Sequence, residues 1–269
     1  MSERNYTIDL LRFIASSAVV LFHLNEPFAY VPNAYRDLAK QGWLGVPIFF
    51  VVSGYCIAMA AGHSKNPVDF FVRRFFRIFP SYWFSLLVVI GCVGFQVFYF
   101  GQNSVTVLPR SFKEISATLF LLTAPFSTIQ TTNWVYWSLT VEIFFYLVIG
   151  LSLFLRKSFR PYAALAISIA ALFPSLSKIP GLFFLSEWAA FGIGFSLYQV
   201  SKRKNISYPD VLILLVNSAN LLFLEHYGYY AVTGFLTFSC IAISVFYKDL
   251  PRNLFSRAGD YSYSVYLLH

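Results

Sequence analysis

Long apolar segments, separated by short polar loops, run through the whole sequence of 269 residues. A helix needs about twenty apolar residues to cross a bilayer, and most of these segments approach that length. Nine segments can be distinguished, at 8–28, 44–62, 79–100, 134–155, 161–175, 182–200, 210–225, 229–247 and from 261 onward. Only 12% of the residues are charged, against about a quarter in soluble domains. The sequence therefore predicts an all-α transmembrane bundle of nine visible helices, forming one membrane-embedded domain over residues 1–269.

Lysine and arginine residues are distributed unevenly between the two sides of the predicted bundle. With the N-terminus in the cytoplasm, fourteen fall on the inner side and five on the outer side, while Arg12 lies within a helix. Inner loops of membrane proteins carry an excess of these residues, so a cytoplasmic N-terminus is predicted. These basic residues lie in short loops beside the apolar segments, where they can contact membrane lipids, and they account for the net charge of +8. Their distribution argues against nucleic-acid binding. The three cysteines lie in apolar segments at unrelated spacings, which predicts neither disulfides nor a zinc site.

The first apolar segment carries polar residues along one helical face. Arg12 and His23 are eleven residues apart, almost three helical turns, and Asp9 lies one turn before Arg12. A charged side chain inside a spanning helix is costly unless it is paired or faces a polar cavity, so this face is a candidate functional site. Histidine suits proton abstraction from a hydroxyl because its ordinary pKa lies near neutrality. The alternative is a buried histidine that only forms a hydrogen bond to a neighbouring helix.

Two further groups of ionisable residues lie beside or within later segments. Arg73, Arg74 and Arg77 precede the third segment, and helical spacing would bring them together at the cytoplasmic surface. They suit a clamp for phosphate groups, although arginines that flank a membrane helix usually extend to lipid headgroups. Glu142 lies inside the fourth segment, where it could approach the depth of His23 or pair with a buried arginine.

Five sequence blocks occur in one order over almost the whole chain. They are Arg12 and His23 with ten residues between them, F-F-V-V-S-G-Y at 49–55, R-R-F-F-R at 73–77 leading into P-S-Y-W, W-S-L-T-V-E at 137–142, and Y-S-Y-S-V-Y-L-L-H at 261–269. Each block alone has little specificity. Together, in this order, they resemble the acyltransferase-3 family of integral membrane O-acyltransferases.

This resemblance implies about ten membrane helices and an enzyme that takes an acyl group from cytoplasmic acyl-CoA, most simply acetyl-CoA, without a metal. The implied acceptor is an envelope or exported carbohydrate, as a glycan or lipid-linked saccharide, at a bacterial plasma membrane. Arg12 and His23 match the essential active-site pair of the family, and Arg74 and Arg77 match an Arg-x-x-Arg motif associated with the donor. Because the last segment holds nine residues, we expect the sequence to be truncated at its C-terminus.

The sequence therefore predicts a membrane O-acyltransferase. CoA phosphates would bind at the three arginines, and His23 would deprotonate the acceptor hydroxyl or carry the acyl group covalently. Asp9 would hold Arg12 or help to position the donor, and Glu142 would tune the histidine or pair with an arginine. A rival from another functional class is a proton-coupled transporter that uses Asp9, Arg12, His23 and Glu142 as a relay.

Overall fold

The fold is entirely helical in the parts of the chain that the computed structural model describes, which are residues 4–101, 108–202, 207–223 and 228–269. The α-helices there are α1 (Tyr6–Asn25), α2 (Ala34–Lys40), α3 (Gly45–His63), α4 (Pro67–Phe100), α5 (Phe112–Leu119), α6 (Tyr136–Ser152), α7 (Arg160–Ala170), α8 (Trp188–Lys202), α9 (Tyr208–Phe223), α10 (Gly228–Phe246), α11 (Leu254–Ala258) and α12 (Ser262–Leu268). Each of the nine predicted segments contains one of these helices, which confirms the predicted all-α bundle.

Four stretches of the described chain are long and apolar enough to cross a membrane: α1, the stretch from α2 through α3 (Ala34–His63), α4 and α10. Helices α6 and α9 are apolar but shorter. Large hydrophobic side chains remain exposed along α4, among them Phe76, Phe84 and Phe98. A continuous apolar surface of this kind is suited to contact with lipid rather than water. The chain is an integral membrane protein.

Helix α4 begins twelve residues before the predicted span at 79–100, and its N-terminal sequence explains why. Asn66 caps the helix by accepting a hydrogen bond from the N–H of Asp69, and Pro67 occupies the first turn. Asp69 then forms an ion pair with Arg73 one turn later, and the helix continues through Pro80. The three arginines predicted to precede the span therefore lie in the same helix as the span itself.

Glycines allow α3 and α8 to cross in close contact at the centre of the bundle. A Cβ atom on Gly54 would lie 2.0 Å from the carbonyl oxygen of Phe191, and one on Gly194 would lie 1.9 Å from that of Val51. Small residues of this kind let membrane helices approach closely. Phe145 of α6 packs on Phe191, with ring centroids 4.2 Å apart. The crossing fixes α3, which forms one wall of the candidate site.

The short helix α12 packs against α1 and α4. The hydroxyl of Ser85 in α4 donates a hydrogen bond to the carbonyl of Leu267, at 2.6 Å. The turn before α12 also lies close to α1, because a Cβ atom on Gly259 would stand 2.3 Å from the carbonyl oxygen of Asp9. These contacts bring the last part of the described chain against the polar face of α1.

Asp249, in the loop after α10, ties the N-terminus of α1 to the rest of the bundle. Its carboxylate accepts hydrogen bonds from the backbone N–H groups of Tyr6 (2.7 Å) and Thr7 (3.0 Å) and from the Thr7 hydroxyl (2.7 Å). Burial raises the pKa of this carboxyl, but the hydrogen bonds outweigh burial and hold the pKa below its ordinary value. The loop carboxylate therefore satisfies the free N–H groups at the start of α1.

Candidate active site

A cavity of about 330 Å³ lies between α1, α3, α4, α6 and the segment from Gly259 to Tyr266. It brings together five of the seven residues that the sequence singled out. The charged residues that line it are Asp9, Arg12, Arg74, Arg77, Glu142 and Asp260. We term it the arginine cavity. Arg73 and His23 lie outside its lining.

Arg12 is held in the arginine cavity by groups on two elements. Its guanidinium lies 3.6 Å from the Asp9 carboxylate one turn earlier and donates a hydrogen bond to Sγ of Cys56 in α3, at 3.2 Å. Arg4 links Asp9 to Asp260, with an N···O distance of 2.6 Å to each carboxylate. These pairings reduce the cost of placing charges inside the bundle, and they fix the direction in which Arg12 points.

The three neighbouring arginines of α4 divide between two environments. Arg74 and Arg77 line the arginine cavity, whereas Arg73 is exposed and forms its 2.8 Å ion pair with Asp69. The Nε atom of Arg74 is buried and has no hydrogen-bond partner among the described residues. Its guanidinium lies over the ring of Tyr146, 5.7 Å from the centroid. A partly buried guanidinium with an unused N–H group favours an anionic ligand in the cavity.

Glu142 faces the arginine cavity and is held there by two hydroxyl groups. Its Oε1 atom accepts hydrogen bonds from Ser53 (2.9 Å) and from Tyr146 (2.8 Å), which lies one turn later on the same face of α6. None of the ion pairs in the described parts of the chain joins Glu142 to an arginine. Glu142 thus lines the same cavity as Arg74 and Arg77, and the lining of that cavity does not include His23.

His23 lies in the last turn of α1, about 16 Å along the helix axis from Arg12. Its Nδ1 atom is 2.9 Å from Nε2 of His269, and the two rings are inclined by only 19° with centroids 5.1 Å apart, so they meet edge to edge. The amide of Asn133 donates a hydrogen bond to the His269 carbonyl, at 3.1 Å. The ring of Tyr266, which lines the arginine cavity, is 5.6 Å from the His269 ring. Tyr266 therefore links the arginine cavity to the histidine pair.

His269 also lines a second, larger cavity of about 1340 Å³. The lining includes the side chains of Asn133, Trp134 and Trp137, and it contains no carboxylate, lysine or arginine among the described residues. The histidine pair thus lies between a charged cavity and an uncharged one.

Comparison with known proteins identifies the chain. The sequence model of a protein family described as an acyltransferase domain matches residues 5–269. The chain belongs to this acyltransferase-3 family. The resemblance inferred from the five sequence blocks is therefore confirmed. No solved structure matches this acyltransferase.

Three relatives of the acyltransferase carry informative names. An O-acetyl transferase of Shigella phage Sf6 is 27% identical, over 98% of this chain and 84% of that protein. The peptidoglycan O-acetyltransferase OatA of Listeria monocytogenes is 37% identical, over 31% of this chain and 13% of its own length. The exopolysaccharide production protein ExoZ of Rhizobium meliloti is 32% identical, over 44% of this chain and 37% of that protein.

Several residues of the acyltransferase's site were not singled out by sequence reasoning. Tyr146 had a detectable signal, because it lies four residues after Glu142 and so shares its helical face. His269 is the last residue of the fifth sequence block, but no role was assigned to it. Ser53 belongs to the second sequence block, but no role was assigned to it, and Cys56 gave no signal within its apolar segment. Among the described residues, no three His, Cys, Asp or Glu side chains are grouped as metal ligands would be.

Proposed function

We propose that this acyltransferase transfers an acyl group, most simply acetyl, from acetyl-CoA to a hydroxyl of an envelope or exported carbohydrate. The observation that carries the proposal is the arrangement along α1, with Arg12 in a cavity of arginines at one end and a hydrogen-bonded His23 at the other. The names of the relatives support acetyl transfer to oxygen and a carbohydrate acceptor, because two are O-acetyl transferases, one of them for peptidoglycan, and a third serves exopolysaccharide production.

The arginine cavity is the proposed donor site. CoA carries phosphate groups, and guanidinium groups bind phosphate oxygens through paired N–H donors. Arg74 and Arg77 would make these contacts, with the free Nε of Arg74 as one donor. Arg73 lies outside the cavity, so we propose that it contacts the donor at most at the entrance of the cavity. A volume of about 330 Å³ is at the small end for ligand sites, so the cavity would hold part of CoA, including the thioester arm.

His23 is the proposed proton-transfer group. It would take the proton from the acceptor hydroxyl while the hydroxyl oxygen attacks the carbonyl carbon of the thioester. The carbon–sulfur bond then breaks, and the departing CoA sulfur receives the proton from His23. General base catalysis of this kind contributes about 10²–10⁴-fold to the rate. The donor phosphates would stay at the arginines while the thioester end extends along α1 towards His23.

The other charged residues of the cavity have supporting roles in this proposal. Asp9 orients Arg12 through the 3.6 Å ion pair, so that Arg12 can donate to the bound donor. Glu142 partly balances the positive charge of Arg74 and Arg77. This lowers the free-energy cost of holding the two arginines inside the membrane when no donor is bound.

We further propose that the N-terminus is cytoplasmic and that the protein resides in a bacterial plasma membrane. The excess of basic residues in one set of loops, fourteen against five, supports this orientation. Arg12 and Arg74 both lie near the N-terminal ends of their helices, and α1 and α4 would start on the same side of the membrane. The arginine cavity would then open towards cytoplasmic acyl-CoA, and the acceptor would reach the histidine pair from the outer side.

Acyl transfer by the purified chain in lipid nanodiscs tests this function. Acetyl-CoA labelled in the acetyl group would be supplied together with candidate glycans, and the label would be sought in glycan by mass spectrometry. We expect acetylated glycan and free CoA. In proteoliposomes, a proton-coupled transporter would instead move the label across the membrane without forming product, and that result would overturn the proposal.

A further inference from the structure

His269 makes contacts through both of its ring nitrogens, and these contacts define which one carries the proton. Its Nδ1 atom lies 3.3 Å from the carbonyl oxygen of Val265, one turn earlier in α12, while its Nε2 atom lies 2.9 Å from Nδ1 of His23. A carbonyl oxygen can only accept, so Nδ1 of His269 is the donor in the first contact. A neutral imidazole has a single N–H group, so Nε2 of His269 must be the acceptor in the second contact.

This assignment fixes the tautomer of His23. Because Nε2 of His269 accepts, Nδ1 of His23 must donate, and neutral His23 then carries its lone pair on Nε2. That nitrogen is the one left free to receive a proton. When it does so, the imidazolium of His23 still donates from Nδ1 to His269, and the hydrogen bond strengthens as the positive charge develops.

The structure also holds His269 firmly enough to act in this way. Asn133 bonds its carbonyl and the ring of Tyr266 packs against its ring. The nearly coplanar, edge-to-edge arrangement of the two histidines aligns the N–H···N bond with both rings. We propose that His269 is a positioning residue, which holds His23 in the tautomer with the proton on Nδ1 and a free Nε2. The catalytic consequence rests on the proposed function, in which His23 is the base, but the tautomer itself does not.

Nitrogen-15 NMR of the histidine-labelled chain in lipid bilayers tests the tautomer directly. The sequence has four histidines, so single substitutions can assign each signal. At a pH where the rings are neutral, we expect His23 to be protonated on Nδ1. The variant His269→Leu, which offers no acceptor, should move the proton to Nε2, which free histidine prefers. His269→Gln should keep the proton on Nδ1, because its amide oxygen can accept. A wild-type His23 protonated on Nε2 would overturn the proposal.

Kinetics test the catalytic consequence. Hydrogen-bond partners that orient metal-binding histidines are typically worth about 10–100-fold. On the same scale, His269→Leu should lower kcat by about 10–100-fold, with little change in KM for acetyl-CoA. His269→Gln should restore most of the activity. His63→Leu is the matched control, because His63 makes the same Nδ1 contact to a carbonyl four residues earlier, at 2.7 Å to Met59, but is exposed and outside the site. It should leave kcat unchanged.

The possible failures are distinguishable. If wild-type protein and all variants form no acylated product, the proposed function fails, while the NMR spectra still decide the tautomer. If wild-type protein is active and His269→Leu keeps its kcat, the positioning role alone is overturned. If His269→Leu does not insert correctly, His269→Lys replaces it. Lysine offers only donors, so it should also move the proton of His23 and lower kcat; an unchanged tautomer or kcat would overturn the proposal.

Discussion

Replacement of Arg74 by alanine tests the donor half of the site, with Arg73 as its neighbouring control. Arg74 has a buried N–H group without a partner in the described structure, whereas Arg73 is exposed and already paired with Asp69. A hydrogen bond to a charged group is worth about 1.5–3 kcal/mol. Its loss should therefore raise the Kd for CoA roughly ten- to hundredfold. Because Arg73 is exposed and lies outside the arginine cavity, Arg73→Ala should leave the Kd within about threefold of the wild-type value.

Calorimetry of CoA binding to nanodisc-embedded protein measures the difference. Arg74→Lys should recover only part of the affinity, because an ammonium group lacks the paired N–H donors of a guanidinium. Wild-type affinity for CoA in correctly inserted Arg74→Ala protein would refute the proposed role of Arg74. Equal losses of affinity in Arg73→Ala and Arg74→Ala would refute it too, because a position in the cavity would then not determine which arginine binds the donor.

Three further predictions concern the fold. Asp249→Ala should lower the free energy of unfolding by about 1–3 kcal/mol at pH 7. Because the folded-state pKa of Asp249 is depressed, this carboxylate contributes its full stabilisation above about pH 4. The difference in Tm between the variant and the wild type should therefore disappear as the pH falls further. Gly194→Ala should destabilise by about 1–3 kcal/mol or more, since its Cβ would lie 1.9 Å from a backbone oxygen. Gly94→Ala, with open space around its Cβ position, should leave the Tm unchanged or raise it slightly. Reporter tags after Lys65 and near Lys178 should lie on opposite sides of the membrane, and finding both on one side would break the proposed orientation.

The sequence was informative about helices because their signals are local. Length and apolar composition located a helix in every predicted segment. The early start of α4 is also indicated by local residues: the Asn66 cap, Pro67 and the spacing of Asp69 to Arg73. It was missed because the hydropathy of this stretch is low until about residue 79, and hydropathy alone does not detect a helix that begins with charged residues.

The site was less accessible from sequence because its contacts join distant parts of the chain. Helical spacing placed Asp9, Arg12 and His23 on one face, and the first two do line one cavity. The partner of His23 is 246 residues away, and no local pattern specifies that contact. Similarly, adjacent arginines differ by about 100° around a helix, so only the position of neighbouring helices decides that Arg74 faces the cavity while Arg73 does not.

The central claim is that donor binding and proton transfer are separated along α1, and His23→Ala tests it most directly. Acetyl transfer and CoA affinity would be measured on the same nanodisc preparation. We predict that kcat falls by about 10²–10⁴-fold, because the proton-transfer group is lost. The Kd for CoA should stay at its wild-type value, since Arg12 lies about 16 Å along the helix from His23. Wild-type turnover with a native glycan acceptor would contradict the account, as would loss of CoA binding in protein that inserts normally.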